Sequence, residues 1–301
     1  MFKGIVTADW HLRKDRPRCR IDENWINTQE DALNQVADIC IEHDCDLFLV
    51  GDIFHRASEF EMVIYIQKLA QKLKKNGLSV YYLCGNHDML YHSTLNLDKS
   101  AIGLLRNSEN CFFIKDYFDK LYFNSGEKIL FSASNFDEQD YENAEIVFKH
   151  VLTIPEDDKP DFVDCETPEI LLKKFPKAQL IFTGDYHKNF HYEKNGRHVI
   201  NSGCLLRQAS DFKDYVSGVY FCDMGKNIVE FIPIIENVRE LIDDSYITKE
   251  NEREKRIDDF VDKLKNTQSV SFDFMDNVEK AILVNDFSED LKDVIHELLE
   301  V

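Results

Sequence analysis

Along residues 1–235, short apolar runs rich in β-branched and aromatic residues alternate with stretches whose apolar positions recur every three to four residues. The runs predict strands at Phe2 to Ala8, Asp46 to Val50, Val80 to Cys84, Ile129 to Ala133, Glu145 to Phe148, Leu180 to Thr183, Val199 to Asn201, Val216 to Cys222 and Ile228 to Pro233. The periodic stretches predict helices at Thr28 to Glu42, Glu59 to Lys75 and Pro168 to Phe175. In the first helix Ala32, Val36, Ile39 and Cys40 form one stripe, with Thr28 as its expected N-cap. Strands alternating with helices are the pattern of an α/β domain, whose sheets are covered by helices.

Beyond the last predicted strand the pattern changes. From Ile234 to Val301, 19 Asp and Glu stand against 9 Lys and Arg, which accounts for half of the chain's net charge of −20. The shift predicts a first domain over 1–235 and a small acidic α+β extension over 236–301. Within the extension the spacing suggests a helix from Lys249 to Leu264, a strand from Ser269 to Phe274 and an amphipathic end carrying Leu291, Ile295, Leu298 and Leu299. That end serves either as a handle for a partner or as a packing helix.

Composition narrows the function classes. At 44% hydrophobic and 31% charged residues the chain is an ordinary globular protein, which argues against a disordered or fibrous one. No run approaches the ~18 apolar residues of a membrane span, and the N-terminal residues lack the apolar run of a secretory leader, so no membrane association is expected. The eight cysteines are scattered through apolar runs without a Cys-x-x-Cys pair, as expected of reduced thiols in a cytoplasm. A strongly acidic chain lacks the basic domain typical of nucleic-acid binders. Any such role has to work through a local basic patch, metal ions or a partner.

The candidate chemistry lies just after the predicted strands. Asp9-Trp10-His11 follows the first, Gly51-Asp52-Ile53-Phe54-His55 the second and Gly85-Asn86-His87-Asp88 the third. His150 comes two residues after Phe148, and Gly184-Asp185-Tyr186-His187 closes the Leu180 strand. In α/β sheets functional groups gather at the carboxyl ends of strands. Asp9, Asp52 and Asp185 offer carboxylate oxygens, His11, His150 and His187 imidazole nitrogens, and Asn86 an amide oxygen. This mixed O/N set suits Mn²⁺, Mg²⁺, Fe²⁺ or Zn²⁺ and argues against copper(I) or an iron–sulfur cluster. Seven ligands exceed the needs of one tetrahedral ion, whereas two ions ~3.5–4 Å apart sharing a carboxylate would use them.

The series DxH, GDxxH, GNHD, a lone His and GxxH, from Phe2 to about Gln208, resembles the calcineurin-like metallophosphoesterases. The forms Gly51 to His55 and Gly85 to Asp88 look like those of the Mre11/SbcD nucleases. The resemblance implies a four-layer α/β/β/α sandwich and two divalent ions, most naturally Mn²⁺. Asp9, His11 and His187 would bind one ion and Asn86, His150 and Asp185 the other, with Asp52 bridging them. Water held between the ions would attack phosphorus in line, His87 would stabilise charge or protonate the leaving oxygen, and His55 would orient the scissile phosphate. One departure is Asp185, where the family usually has histidine; a carboxylate there would bias the site toward harder ions. Asp88 is expected to hydrogen-bond a histidine or the backbone.

The resemblance further implies DNA as substrate, a homodimer, a Rad50/SbcC-like ATPase partner, and exonuclease activity in recombination, repair or replication, with endonuclease activity as an open addition. The extension at 236–301 would then be a capping or partner-binding domain, and the compact size fits a viral enzyme acting in a host cytoplasm. Arg13, Lys14, Arg16, Arg18 and Arg20 form a basic segment beside the site that either follows a nucleic-acid backbone or is a solvated loop neutralised by Asp15, Asp22 and Glu23. Tyr91, His92, Tyr186 and Phe190 either stack on bases or pack. Because the same scaffold hosts other activities, a phosphoesterase of phosphomonoesters, cyclic nucleotides or phosphoproteins is the alternative, and a non-catalytic scaffold subunit the second.

Overall fold

The computed structural model describes residues 1–114, 142–160, 163–208 and 215–234 in full, residues 120–122 and 128–134 by their backbone, and the single positions 243, 282 and 291. The chain divides into two compact units, Met1–Ile242 and Asp243–Val301. The elements expected at 249–264 and 269–274, and all of the amphipathic end except Leu291, lie outside the described residues.

The first unit holds two six-stranded sheets. In the first, β1 (Lys3–Thr7), β2 (Leu47–Val50), β3 (Val80–Leu83) and β4 (Cys111–Phe113) run parallel. In the second, β5 (Lys120–Tyr122) pairs antiparallel with β6 (Lys128–Ser134), which begins a parallel set with β7 (Ile146–His150) and β8 (Leu180–Gly184). Beyond β8 the edge hairpin β9 (Phe190–Lys194) and β10 (Arg197–Asn201) adds β10 parallel to β8. The chain then returns to the first sheet, where β11 (Gly218–Asp223) lies antiparallel to β1 and β12 (Ile228–Pro233) forms the edge. The helices are α1 (Trp25–His43), α2 (Val63–Lys74), α3 (Ala101–Leu105) and α4 (Pro168–Lys174).

Alternation along the strands sets the layers, because successive side chains point to opposite faces. Ile5, Leu47, Leu49, Val80 and Tyr82 share a core with Val36 and Cys40 of α1 and Ile66 and Leu73 of α2. Their neighbours Val6, Phe48, Val50 and Leu83 join Ile146, Phe148, Leu180, Phe182 and Ile200 between the sheets. Val147, Ile181 and Val199 point outward onto Leu171, Leu172 and Phe175 of the α4 region. The result is the α/β/β/α sandwich, and covering both faces explains why the parallel strands are almost wholly apolar. In the middle layer Phe48 stacks on Phe148 at 5.2 Å and Phe148 on Phe182 at 5.1 Å. Gly4 leaves room for this stack, since a Cβ there would come within 2.7 Å of the Phe48 ring.

Some elements differ from the sequence pattern. Helix α1 starts at Trp25, three residues early, because Asn24 is the N-cap and its Oδ1 accepts from Asn27 N at 3.1 Å. Thr28 donates instead to the Asp22 carboxylate at 2.7 Å. Phe60–Met62 is a 3₁₀ turn leading into α2. His150 is the last residue of β7 rather than part of the loop after it. Elements α3, β4, β5 and β9 have no counterpart in the predicted set, being too short or too polar to show a period. Among the described residues no helix is long and apolar enough to cross a membrane, and seven of the eight cysteines are buried.

Candidate active site

The loops after β1, β2, β3, β7 and β8 meet at the carboxyl ends of these strands. Residues 9–12 are zipped to residues 51–55: the N–H groups of Asp9, His11 and Leu12 donate to the carbonyls of Gly51, Asp52 and Ile53 at 3.1, 2.9 and 2.9 Å. Asp88, fully buried, accepts from Ile53 N, Phe54 N and Gly85 N at 3.2, 2.8 and 2.9 Å and so ties the second loop to the third. Its partners are backbone groups. Asp9, His11, Asp52 and Asp185 all take left-handed backbone conformations, with φ of 52°, 45°, 49° and 77°. Such strain costs about 1–3 kcal/mol per residue and persists where surrounding bonds over-determine it, which is typical of functional sites. Gly85 is needed for the close approach of the third loop, because a Cβ there would strike the Asp52 carboxylate.

These loops bring distant residues together. Asp9, His11 and His187 each place a ligand atom within 4.8 Å of the others, and so do Asp9, Asp52 and His150. His11 Nε2 and His187 Nε2 are 3.0 Å apart. Asp52 Oδ2 stands between the groups, 3.7 Å from His11 Nε2 and 3.4 Å from His150 Nε2. Asn86 Oδ1 is 3.1 Å from His150 Nε2. His150 Nδ1 lies 2.8 Å from the Val50 carbonyl, an acceptor, so the hydrogen is on Nδ1 and Nε2 faces the cluster. Asp185 enters mainly through its backbone, whose N–H bonds both Asp9 oxygens at 3.0 and 3.1 Å. Asp185 belongs to none of these ligand groups and lines a depression with Lys149, His150, Asp164 and Glu166.

The electrostatics favour cations at this point. Burial, reinforced by the charge of Asp52, pushes the Asp9 carboxyl up to about 8. Burial would lower His150, but Asp52 outweighs it and raises the imidazole to about 10. For Asp52 burial acts upward, and the charge of His150 leads the effects that reverse it, so this carboxyl is held far below the usual range. Protons are therefore held where the negative potential is greatest. Burial lowers His11 and His187, keeping both imidazoles neutral with lone pairs available to a ligand.

Opposite the buried carboxylates, a cavity of about 170 Å³ opens over His11, lined by Arg13, His55, His87, His187, Cys204, Leu206 and Gln208. His87 meets His11 edge-on at 4.9 Å and stacks on His55 at 5.8 Å. His87 Nδ1 lies 2.9 Å from the His55 carbonyl, so it carries the hydrogen there and leaves Nε2 free for substrate. Burial, then the charge of Arg13, lowers His55 to about 4 and keeps it neutral.

The basic segment does not act as one surface. Arg13 lines the cavity with its side chain 13% exposed. Lys14 is exposed and paired with Glu61 at 2.8 Å, and Arg16 donates to the Asp22 carbonyl at 2.6 Å. Arg18 is exposed. The expectation that Arg20 contacts nucleic acid is corrected: Arg20 is 1% exposed, bonds both Asp22 oxygens at 2.8 Å and lies over the Trp25 ring. A guanidinium so enclosed cannot reach a phosphate.

Several residues that hold the site escaped the sequence pattern. Buried Gln29 clasps Arg13 twice, accepting from its N–H and donating to its carbonyl, both at 2.9 Å. Its signal was a polar residue on the apolar stripe of α1. Gln208 Nε2 donates to the carbonyls of Trp10 and His11 at 3.2 and 3.0 Å. The Tyr215 hydroxyl donates to Cys204 O at 2.8 Å, while Ser202, in the Asn201-Ser202-Gly203 turn that the family resemblance includes, accepts from Ala8 N through Oγ at 2.8 Å.

The donor set fits divalent cations. Asp52 Oδ2 is buried with no hydrogen-bond partner, and two pairs of potential ligand atoms face each other at 3.0 and 3.1 Å. Asp9, His11 and His187 would hold one ion, and Asp52, Asn86 and His150 the other. Bound ions would supply Lewis acidity and a water ionised near neutral pH. On the open side the cavity would receive substrate, with His87 Nε2 on its wall as a group able to exchange a proton.

The chain belongs to the calcineurin-like phosphoesterase family, whose model matches residues 2–189. It is thus a metallophosphoesterase, a hydrolase of phosphate esters, in a family whose members bind two divalent metal ions. Similar solved structures include the protein TT1561 of Thermus thermophilus, 12% identical, TM-score 0.45, over 77% of this chain and 98% of that one. An archaeal phosphodiesterase is 13% identical, TM-score 0.42, over 77% and 100%. Nuclease MPE of Pseudomonas putida is 16% identical, TM-score 0.32, over 76% and 86%. A search of curated proteins finds no match.

Proposed function

We propose that this chain is a metal-dependent DNA nuclease of the Mre11/SbcD type, cleaving phosphodiesters exonucleolytically as a homodimer with a Rad50/SbcC-like ATPase in recombination or repair. The observation that carries the reading is the pair His55 and His87, which stack beside the ligand cluster at 5.8 Å with Arg13 on the same cavity wall. A diester leaving group is a poorly stabilised alkoxide that gains from a proton donor, and the flanking chain gains from a cation. Mn²⁺ is the metal that best suits the oxygen-rich donor set. Asp185, whose charge acts on Asp9, His150 and His187, completes the second ion's shell.

The test is cleavage of end-labelled single- and double-stranded DNA by metal-stripped protein after addition of Mn²⁺, Mg²⁺ or Zn²⁺. A Mn²⁺-dependent nucleotide ladder, lost in His87→Ala, is the expected result. A second reading, a phosphoesterase of small phosphomonoesters, is favoured by the burial of Arg20 and the pairing of Lys14, which shrink the basic surface. Hydrolysis of p-nitrophenyl phosphate with no DNA cleavage would select it. Metal binding with no hydrolysis of either substrate would select a scaffold role.

A further inference from the structure

We propose that His11, His55 and His87 form a third metal site on the open cavity, an inhibitory one selective for zinc-type ions over Mn²⁺ and Mg²⁺.

One nitrogen of each of these imidazoles lies within 4.8 Å of the other two. All three residues line the cavity, with ring centroids 4.9 Å apart for His11 and His87, 5.9 Å for His11 and His55 and 5.8 Å for His55 and His87. A tetrahedral zinc with bonds of about 2.0–2.1 Å spaces its nitrogens roughly 3.3 Å apart. His11 is buried, whereas His55 is half-buried and His87 exposed, so the outer two rings are the ones that would turn to close on an ion. The tautomer of His87 already suits a ligand. Its Nδ1–H donates to the His55 carbonyl at 2.9 Å, which leaves the Nε2 lone pair for the ion. Metal-bound histidines give their second ring N–H to such an acceptor, as His150 of the buried cluster does with the Val50 carbonyl.

Donor chemistry separates this group from the buried ones. Both of those contain Asp9, joined by His11 and His187 in one and by Asp52 and His150 in the other. The outer group consists of imidazoles alone. Nitrogen donors without a carboxylate suit Zn²⁺, Ni²⁺ or Cu²⁺, whereas Mn²⁺ and Mg²⁺ prefer oxygen. His11 belongs to the outer group and to one buried group, so ions in the two compete for it. An ion in the outer group also takes the His87 nitrogen offered to substrate and stands in the cavity. Both effects oppose hydrolysis.

The test is zinc binding by Asp9→Asn, which weakens both carboxylate-containing groups and leaves the three imidazoles in place. Competition with a chromophoric chelator should show one zinc per chain. Adding His55→Ala or His87→Ala should weaken that zinc at least about tenfold, since losing even an outer partner of a ligand costs 10–100-fold. Adding His187→Ala, outside the outer group, should leave it unchanged. In the otherwise wild-type chain His55→Ala should leave Mn²⁺ binding unchanged, and a loss there would overturn the selectivity. No zinc in Asp9→Asn, zinc held as tightly after His55→Ala, or loss only with His187→Ala would overturn the site. Melting midpoints guard against misfolding, with His55→Gln replacing His55→Ala if the latter unfolds. Zinc should also slow the Mn²⁺-loaded wild type on whichever phosphoester it hydrolyses, DNA or p-nitrophenyl phosphate. His55→Ala, measured against its own zinc-free rate, should need at least about tenfold more zinc for half-inhibition, and equal sensitivity would overturn the inhibitory role. If neither compound is hydrolysed, the hydrolytic reading fails, and the zinc titrations alone decide the site.

Discussion

Two groups of charged residues stood out in the sequence, and folding treated them in opposite ways. The ligand candidates are spread from Asp9 to His187, yet His11 and His187, 176 positions apart, end with their Nε2 atoms 3.0 Å from each other. The basic residues 13–20 are neighbours in sequence and disperse: Arg13 into the cavity, Lys14 to an exposed ion pair, Arg20 into the core. Strand ends of parallel sheets converge by construction, so regular placement after strands is a long-range signal. Adjacency within a loop carries no such guarantee, because each side chain follows its own local turn.

Substitutions in the two groups should therefore differ widely. Asp52→Ala removes the carboxylate that stands between His11 and His150. Since losing an outer partner of a metal ligand already costs 10–100-fold in affinity, this change should cost about 100-fold or more, with activity lost in parallel. Retention of metal and rate would break the account of the cluster. Asp185→Ala should cost less, about 10- to 100-fold in metal affinity, because its carboxylate is outside the ligand groups and its N–H to Asp9 is kept. Titration of the apoprotein with Mn²⁺ measures both, and an Asp185→Ala variant binding as tightly as wild type would remove Asp185 from the shell.

Within the basic segment the expected effects are structural. Asp22→Asn removes a charge partner of the buried Arg20 guanidinium, a loss of about 3–5 kcal/mol in unfolding free energy near neutral pH. Burial raises the Asp22 carboxyl, but the bonds from Arg20 and Thr28 outweigh it and hold it below the usual carboxylate range. A depressed acid contributes stability that is present above the unfolded value of about 4 and is lost as pH falls through the folded one. The difference between Asp22→Asn and wild type in urea should accordingly shrink below about pH 4, and a constant difference would contradict the pairing. Lys14→Ala, at an exposed and solvent-screened pair, should leave the unfolding midpoint in urea unchanged. A lowered midpoint, or a marked loss of DNA cleavage, would show that the segment acts as one surface.

The apolar runs made the layered sheets legible, because strands buried on both faces have few polar residues with which to hide. The ligand candidates were legible for the related reason that each follows such a run. What escaped was the polar scaffolding of the loops. Gln29 and Gln208 act by bonding backbone groups of residues 10–13, and neither period nor motif marks a side chain whose partner is a main-chain atom far away. Arg20 was misjudged because charge implies exposure only when no partner is built in, and Asp22, two residues on, supplies one. The helix start moved for a similar reason: Asn24 caps more effectively than Thr28, which the Asp22 carboxylate engages.

The central claim is a division of labour across the site, with Asp9, Asp52 and His150 holding metal on the buried side and His87 serving substrate on the open side. Metal stoichiometry measured alongside DNA cleavage for wild type, Asp52→Ala and His87→Ala tests it most directly. The account predicts two ions per chain in wild type and in His87→Ala, a cleavage rate reduced about 10²–10⁴-fold in His87→Ala, and loss of both metal and cleavage in Asp52→Ala. A His87→Ala protein that loses its metal, or one that keeps full cleavage, would contradict it.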